Sequence, residues 1–257
     1  MTAALLELRY WRYAAYRAYL NLVSDAARYH LGWLWWILEP LAMTGVFYVV
    51  FKFLRARDED FIYFLIVGVT TWLWFSNSVS NATQSLNAAK GLISQIRIPK
   101  LMFPLISIMA GTYKQAFVFA ILLFVVAALV GVDPTWMWFP LLVLVEILMI
   151  TATATTAALV CAWLPDSRFV VSSGLQLLMF CSGIFFDINS FAPEAQSWFW
   201  LNPIATLLDQ YRAVLLHGNA PDLTWCALVA SSCLLWVAVL SHVYRRYDHS
   251  LTRRIIA

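Results

Sequence analysis

Apolar residues run along this chain in six long blocks, at 33–54, 61–80, 101–130, 136–163, 169–186 and 223–244. Each is close to or longer than the about 20 residues that carry an α-helix across a bilayer core. Barrel strands would alternate and run only about 9–11 residues, so all six are predicted to be helices. The third and fourth are long enough to tilt or to project beyond the bilayer.

Two stretches outside the blocks keep a membrane character. Residues 1–30 show no short apolar segment before a small-residue cleavage site, so no cleaved signal is expected there. Instead Arg9, Arg12, Arg17 and Arg28 alternate with Tyr10, Trp11, Tyr13, Tyr16, Tyr19 and Leu20, the mixture that lies in a headgroup layer. This segment is predicted to be an interface helix, broken at His30-Leu31-Gly32. Residues 187–222 hold two apolar pieces, 195–201 and 204–216, each too short to cross and split by Asn202-Pro203. Proline disfavours helical geometry in the residue before it, so two short helices dipping into the outer leaflet are expected.

Composition agrees. Of 257 residues, 62% are hydrophobic and 12% charged, with mean hydropathy +0.74, against about 45–50% and about 25% in soluble domains. A soluble fold of this size would lack the polar side chains to cover itself. That excludes an ordinary cytosolic enzyme, a disordered chain and a disulfide-stapled secreted module. Thirteen tryptophans suit a protein with two membrane interfaces. Cys161, Cys181, Cys226 and Cys233 lie in apolar runs without metal or redox spacing and are read as small buried hydrophobes.

Charge gives orientation. With the N-terminus inside, inner segments hold Arg9, Arg12, Arg17, Arg28, Lys90, Arg97, Lys100, Arg168, Arg245, Arg246, Arg253 and Arg254, while outer segments hold Arg55, Arg57 and Arg212. The bias of 12 against 3 predicts both termini in the cytoplasm.

Enzyme templates are absent from the sequence. It has no GxxxxGK[ST] phosphate loop, so ATP hydrolysis by this chain alone is not expected, and no HExxH or GxSxG. His30, His217, His242 and His249 sit at or beyond block ends, and no metal site is expected from them.

Lys114 and Glu146 lie well inside the third and fourth blocks, about 20 Å and about 15 Å from their ends at 1.5 Å per residue. A charge at that depth costs several kcal/mol unless paired or wetted. Three readings stand: a structural Lys114–Glu146 ion pair, a polar pore lining, or a proton relay, the last without further acids to support it. Glu39-Pro40 falls in the first turns of the first block, as a helix start or as a lipid or partner contact. Residues 151–158, TATATTAA, allow close helix packing, with a ligand groove the secondary reading. The connection 87–100, NAAKGLISQIRIPK, places Lys90, Arg97 and Lys100 among Leu92, Ile93, Ile96 and Ile98. It either rests on the membrane or docks into a partner's groove. Trp72, Trp74 and Phe75 fall mid-block, where they pack a core or offer aromatic faces to sugars.

The run Arg28–Pro40, RYHLGWLWWILEP, resembles the start of the membrane subunits of type-2 ABC exporters for polysaccharides, the O-antigen, capsule and teichoic acid exporters. LISQIRIPKLMFPL, 92–105, resembles that family's first cytoplasmic loop, although Ile98-Pro99-Lys100 stands where relatives often carry an aromatic residue. Trp200, Asn202, Pro203 and Arg212 resemble its W…NP…R element before the last span. The order, spacing and total length match over essentially the whole chain.

This resemblance implies one all-α polytopic membrane domain over 1–257. Its parts would be an interface helix (1–30), spans one to five (33–186), two short re-entrant outer gate helices (187–222), span six (223–244) and a cytoplasmic tail (245–257). It also implies a homodimer with two separate nucleotide-binding subunits, which would hold ATP and magnesium, and no cofactor in this chain. Asn87, Lys90, Leu92, Ile93, Ile96, Arg97 and Lys100 would form the coupling helix docked on the ATPase. Leu31-Gly32 would be an entrance gate for a lipid-linked glycan, with Arg9, Arg12 and Arg28 suited by chemistry to its diphosphate. Trp72, Trp74 and Phe75 would line the sugar channel. The expected activity is export of lipid-linked polysaccharide across a bacterial inner membrane, in contact with membrane lipids and without nucleic acid. The alternatives are a type-2 exporter of a drug or lipid, and a membrane-embedded glycosyl- or acyltransferase.

Overall fold

The computed structural model describes residues 8–28, 30–52, 60–95 and 98–256; Arg9 is placed in its helix without its side chain. Among these residues the structure is helical, with no strand. The order is α1 (Leu8–Arg28), α2 (Trp35–Lys52), α3 (Phe61–Ala88), α4 (Lys90–Gln95), α5 (Met102–Leu129), α6 (Phe139–Trp163), α7 (Ser167–Phe180), α8 (Pro193–Trp200), α9 (Pro203–Leu216), α10 (Leu223–Arg246) and α11 (Asp248–Ile256), with three short 3-10 turns between them. Sidedness is described here by a basic end, where Lys100, Arg245, Arg246 and Arg254 gather, and an opposite end.

Five of these segments are long and apolar enough to cross a membrane: Gly32–Phe51, Phe61–Ala88, Met102–Leu129, Pro134–Trp163 and Leu223–Arg246. The fifth expected block, 169–186, behaves differently. Its helix, α7, stops at Phe180 after 14 residues, about 21 Å of rise and short of the about 17 residues that a span needs. Gly183, at φ +65°, then turns the chain. A β-carbon there would lie 2.9 Å from Ile188 Cδ1, so glycine is the residue that fits the turn.

α3 is the central column, packed against α2, α5, α6, α7 and α9. Its buried apolar residues join those of α5, α6 and α9 in the main core. A second core at the basic end unites Ala14 and Ala18 of α1 with Ile93, Met102, Ala158, Tyr244, Leu251 and Ile255. Ala14 and Ala18, four residues apart, let α1 lie close on α5 while Tyr16 and Tyr19 stay exposed. This is the amphipathic division expected of an interface helix.

The small-residue run 151–158 packs within the chain. Ala154 and Ala158 are fully buried, and where α6 meets α10 Tyr244 donates a hydrogen bond to the Thr155 carbonyl at 2.9 Å. Cys161 and Cys226 are buried as expected, whereas Cys181, just past the end of α7, is exposed. At the opposite end, Asp133 caps the turn before α6 by accepting from the Thr135 amide and hydroxyl, which holds its carboxyl below the ordinary range. The Thr135 hydroxyl also donates to Val214 O at 3.0 Å, tying α9 to that end.

Within the segment expected as a tail, Asp248–Ile256 forms a helix, α11. α11 places Leu251 and Ile255, one turn apart, in the second core and packs beneath α4. Asp248 fixes it to the start of α5, with Lys100 Nζ 3.7 Å from Asp248 Oδ2.

Candidate functional site

α3 carries a polar stripe inside an apolar helix. Thr70, Trp74, Asn77, Ser78 and Asn81 recur at three- and four-residue spacing, which puts them on one face. That face borders a cavity of about 600 Å³ enclosed with α1, α2 and α5. Its walls also include Ser24, Asp25, Arg28, Glu39, Ser107, Lys114 and Gln115. Three helices converge there on Glu39 of α2. Lys114 Nζ lies 3.2 Å from one carboxylate oxygen, and Asn77 Nδ2 donates to the other at 3.2 Å. Gln115 donates to the Thr70 carbonyl at 3.4 Å.

Lys114 and Glu39 are about one-third exposed, at 30% and 32%, so the cavity wets them. A charge is tolerable at membrane depth under that condition. Trp74 Nε1 and Ser78 Oγ are buried without a partner on this wall, so the site retains unspent hydrogen-bonding capacity.

This corrects the expected Lys114–Glu146 pair. Depth alone permitted it, but the two side chains occupy different compartments. Glu146 is fully buried in the main core, where Tyr211 of α9 donates to Oε2 at 2.8 Å and Oε1 has no partner. Lys114 faces the cavity and takes Glu39 instead.

Arg212 is buried at the other side of α3. Its guanidinium donates to the carbonyls of Phe64 (3.3 Å), Gly183 (2.9 Å) and Ile184 (3.2 Å), and it stacks 3.4 Å from the Phe64 ring centroid. Gly68 makes room for it, since a β-carbon there would collide with Arg212 Nη2. Arg212 is therefore a clamp that holds α9 and the turn after α7 to α3. Asn202 caps α9 by accepting from the Ile204 amide at 3.0 Å and donates to the Ser182 hydroxyl at 2.9 Å. Pro203 opens the helix, as its fixed φ favours. Trp200 ends α8 just before this cap, half-buried.

Residues 15–216 match the family signature described as ABC-2 type transporter. The chain belongs to that family. O-antigen export system permease proteins named RfbA are similar to it. The one from Myxococcus xanthus is 28% identical over 82% of this chain and 85% of its own length. One from Klebsiella pneumoniae is 26% identical over 74% of each. The polysialic acid transport protein KpsM of Escherichia coli is 24% identical over 87% of this chain and 89% of its own length.

Within this ABC-2 type chain, the expected site residues divide. Of the aromatic trio, Trp72 and Phe75 turn into the main core and only Trp74 reaches the cavity, its ring edge-on to Phe119. Adjacent positions such as Trp74 and Phe75 fall on different faces of the helix. Of the basic candidates near Leu31-Gly32, Arg28 borders the cavity and pairs with Asp25 at 3.7 Å. Arg12 is exposed elsewhere on α1, and the Arg9 side chain lies outside the described residues. Leu31 is exposed, and Gly32, at φ +53°, opens the turn into α2.

In the α4 region, Asn87 and Lys90 are exposed and Leu92 is half-buried. Ile93 and Lys100 are buried, so neither is presented to a partner; Ile93 fills the second core and Lys100 holds Asp248. Ile96 and Arg97 lie outside the described residues.

The sequence reading missed Asn77, Asn81 and Gln115. Their signal was available: three amides among apolar residues, two of them four residues apart on the α3 stripe.

Proposed function

We propose that this chain is the membrane subunit of an ATP-driven exporter that moves a lipid-linked polysaccharide, O-antigen or capsule, across a bacterial inner membrane. The observation that carries this reading is the cavity of about 600 Å³ lined by amide, hydroxyl and charged side chains within an otherwise apolar bundle. A sugar chain needs hydrogen-bonding walls, whereas a hydrocarbon or a greasy drug gains nothing from them. The relatives named for O-antigen export and polysialic acid transport support the same cargo class.

In this reading two copies face each other across the cavities and enclose the passage. The basic end lies in the cytoplasm, by the charge bias, and both termini with it. α7 and the turn after it form a sixth crossing, and α8 and α9 are re-entrant helices at the outer mouth. A separate nucleotide-binding subunit, present twice, supplies ATP hydrolysis and contacts the exposed face around Asn87 and Lys90. Nucleotide then shifts the passage between two states by its differential affinity for them. Trp74 and Arg28 are the cavity residues for sugar faces and for the diphosphate, respectively.

The test is deletion of the gene followed by glycan analysis. The expected result is lipid-linked glycan held inside the cytoplasmic membrane, restored to the surface by the native chain and poorly by Asn77→Leu/Asn81→Leu. Unchanged surface glycan after deletion refutes the assignment.

A further inference from the structure

A second cavity, of about 710 Å³, opens between α5, α6 and α10 with Trp11 of α1 at its rim. It belongs to a different face of the bundle from the polar cavity and shares none of its lining residues. Its walls are three parallel stripes. On α6 these are Ile147, Thr151 and Thr155; on α10 they are Val237, Ser241 and Arg245; on α5 the wall runs from Leu101 to Tyr113. Successive residues four apart make a groove that follows the helix axes for about 12 Å. That is the shape of an extended hydrocarbon chain rather than of a compact ligand.

The hydrogen-bonding state of the walls is more telling than their composition. Four Ser and Thr hydroxyls line the groove together with the Tyr113 phenol, and each of the four is already spent on its own helix. Thr112 donates to Ile108 O (2.9 Å), Thr151 to Ile147 O (2.7 Å), Thr155 to Thr151 O (2.6 Å) and Ser241 to Ala238 O (2.8 Å). The Ser and Thr hydroxyls therefore ask for no polar partner along the groove, and Tyr113 is the one further hydroxyl on its walls. Its volume falls in the range of about 300–1,000 Å³ typical of small-molecule sites.

Charge enters only at one end. Arg245, in the last turn of α10, is exposed at the groove's basic end and makes no hydrogen bond or ion pair among the described residues. The Tyr244–Thr155 hydrogen bond fixes α10 against α6 at that level, so the guanidinium is carried on a rigid support. Trp11, an indole suited to the headgroup layer, stands at the rim.

We propose that this groove is a binding site for an anionic membrane phospholipid, with an acyl chain along the satisfied walls and the headgroup phosphate on Arg245. A planar guanidinium pairs with phosphate oxygens through two parallel donors. The site is independent of the cargo passage, so it stands or falls separately from the export reading.

The test uses the full-length chain in nanodiscs of phosphatidylethanolamine and phosphatidylglycerol. Trace phosphatidylglycerol carrying a mid-chain diazirine is photolysed, and adducts are mapped by peptide mass spectrometry. Labels are expected on the α5 and α6 stripes around Met109, Tyr113 and Ile147. Arg245→Gln should lower this labelling about fivefold, as expected for one basic residue near an anionic surface. Arg246→Gln, which removes the neighbouring charge without touching the groove, should leave it unchanged. Thr151→Trp, which fills the groove, should abolish it while annular labelling of α2 persists.

Equal labelling by phosphatidylcholine and phosphatidylglycerol, unaffected by Arg245→Gln, overturns the proposal in favour of ordinary annular lipid. Preferential labelling by an isoprenyl diphosphate probe overturns the phospholipid assignment. Efficient cross-linking of Ile147→Cys between two copies also overturns it, because the groove is then a subunit contact.

Discussion

Tyr211 of α9 donates a 2.8 Å hydrogen bond to Glu146 of α6 inside the main core, and the second oxygen of that carboxyl has no partner. The bond links the short helix α9 to the long helix α6 through a group that has few alternatives. Tyr211→Phe leaves the whole carboxyl unsatisfied and should cost about 1–3 kcal/mol. Combining it with Glu146→Leu should recover most of the loss, because replacing both partners by apolar groups removes the desolvation cost. Thermal unfolding of the purified chain in detergent checks this; a double variant no better than Tyr211→Phe alone contradicts it.

Glu39 and Lys114 should couple, and Lys114 and Glu146 should not. Both members of the first pair are about one-third exposed, so a coupling of about 0.5–1 kcal/mol is expected once solvent screening is allowed for. Two double-mutant cycles, Lys114→Met with Glu39→Gln and Lys114→Met with Glu146→Gln, measure both numbers by the same unfolding assay. A larger coupling in the second cycle would reinstate the pairing expected from depth alone.

Arg212 should be intolerant of conservative change. Lysine keeps the charge but cannot present the fork that reaches Phe64 O, Gly183 O and Ile184 O together. Arg212→Lys and Arg212→Met are both expected to lower stability by at least about 2 kcal/mol. Gly68→Ala should do the same through the collision with Nη2. Limited proteolysis within 181–202 is the local readout, and an unaltered cleavage rate in all three variants counts against the clamp.

The two faces of α4 should give opposite phenotypes. Lys90→Glu changes an exposed residue and should leave the chain folded while weakening its hold on the proposed nucleotide-binding subunit. Ile93→Asp buries an unpaired charge in the second core and should destabilise the chain itself. Co-purification of the partner and melting temperature separate the outcomes; weakened co-purification with Ile93→Asp at an unchanged melting temperature would put Ile93 on the docking surface instead.

Run length was enough to find the five long helices, because a bilayer imposes a minimum that few soluble elements reach. It did not find the helix end within 169–186, because apolarity continues past Phe180 while the backbone turns at Gly183. Hydropathy records the medium, not the helix end. The Lys114 partner was illegible for a related reason. Depth follows from counting residues, but which neighbour a side chain meets depends on helix rotation, and it is Glu39 of α2 that meets Lys114. The Asn202-Pro203 break, by contrast, was legible, since an Asn cap followed by proline at the first helical position has one common geometry. The α3 stripe was legible and overlooked: Asn77 and Asn81 lie four residues apart in a block judged only by its average greasiness.

The Lys100–Asp248 bridge ties the nine residues of α11 to the body of the molecule. The foot of α5 and the final helix are strapped together, and α4 packs on the final helix. Anything that pushes on α4 from below pushes on a braced plate rather than on a loose hinge, and the displacement is delivered to the root of the helix that carries Lys114. A carboxy-terminal fusion hangs from that same plate, and would load the lever it was meant only to report on.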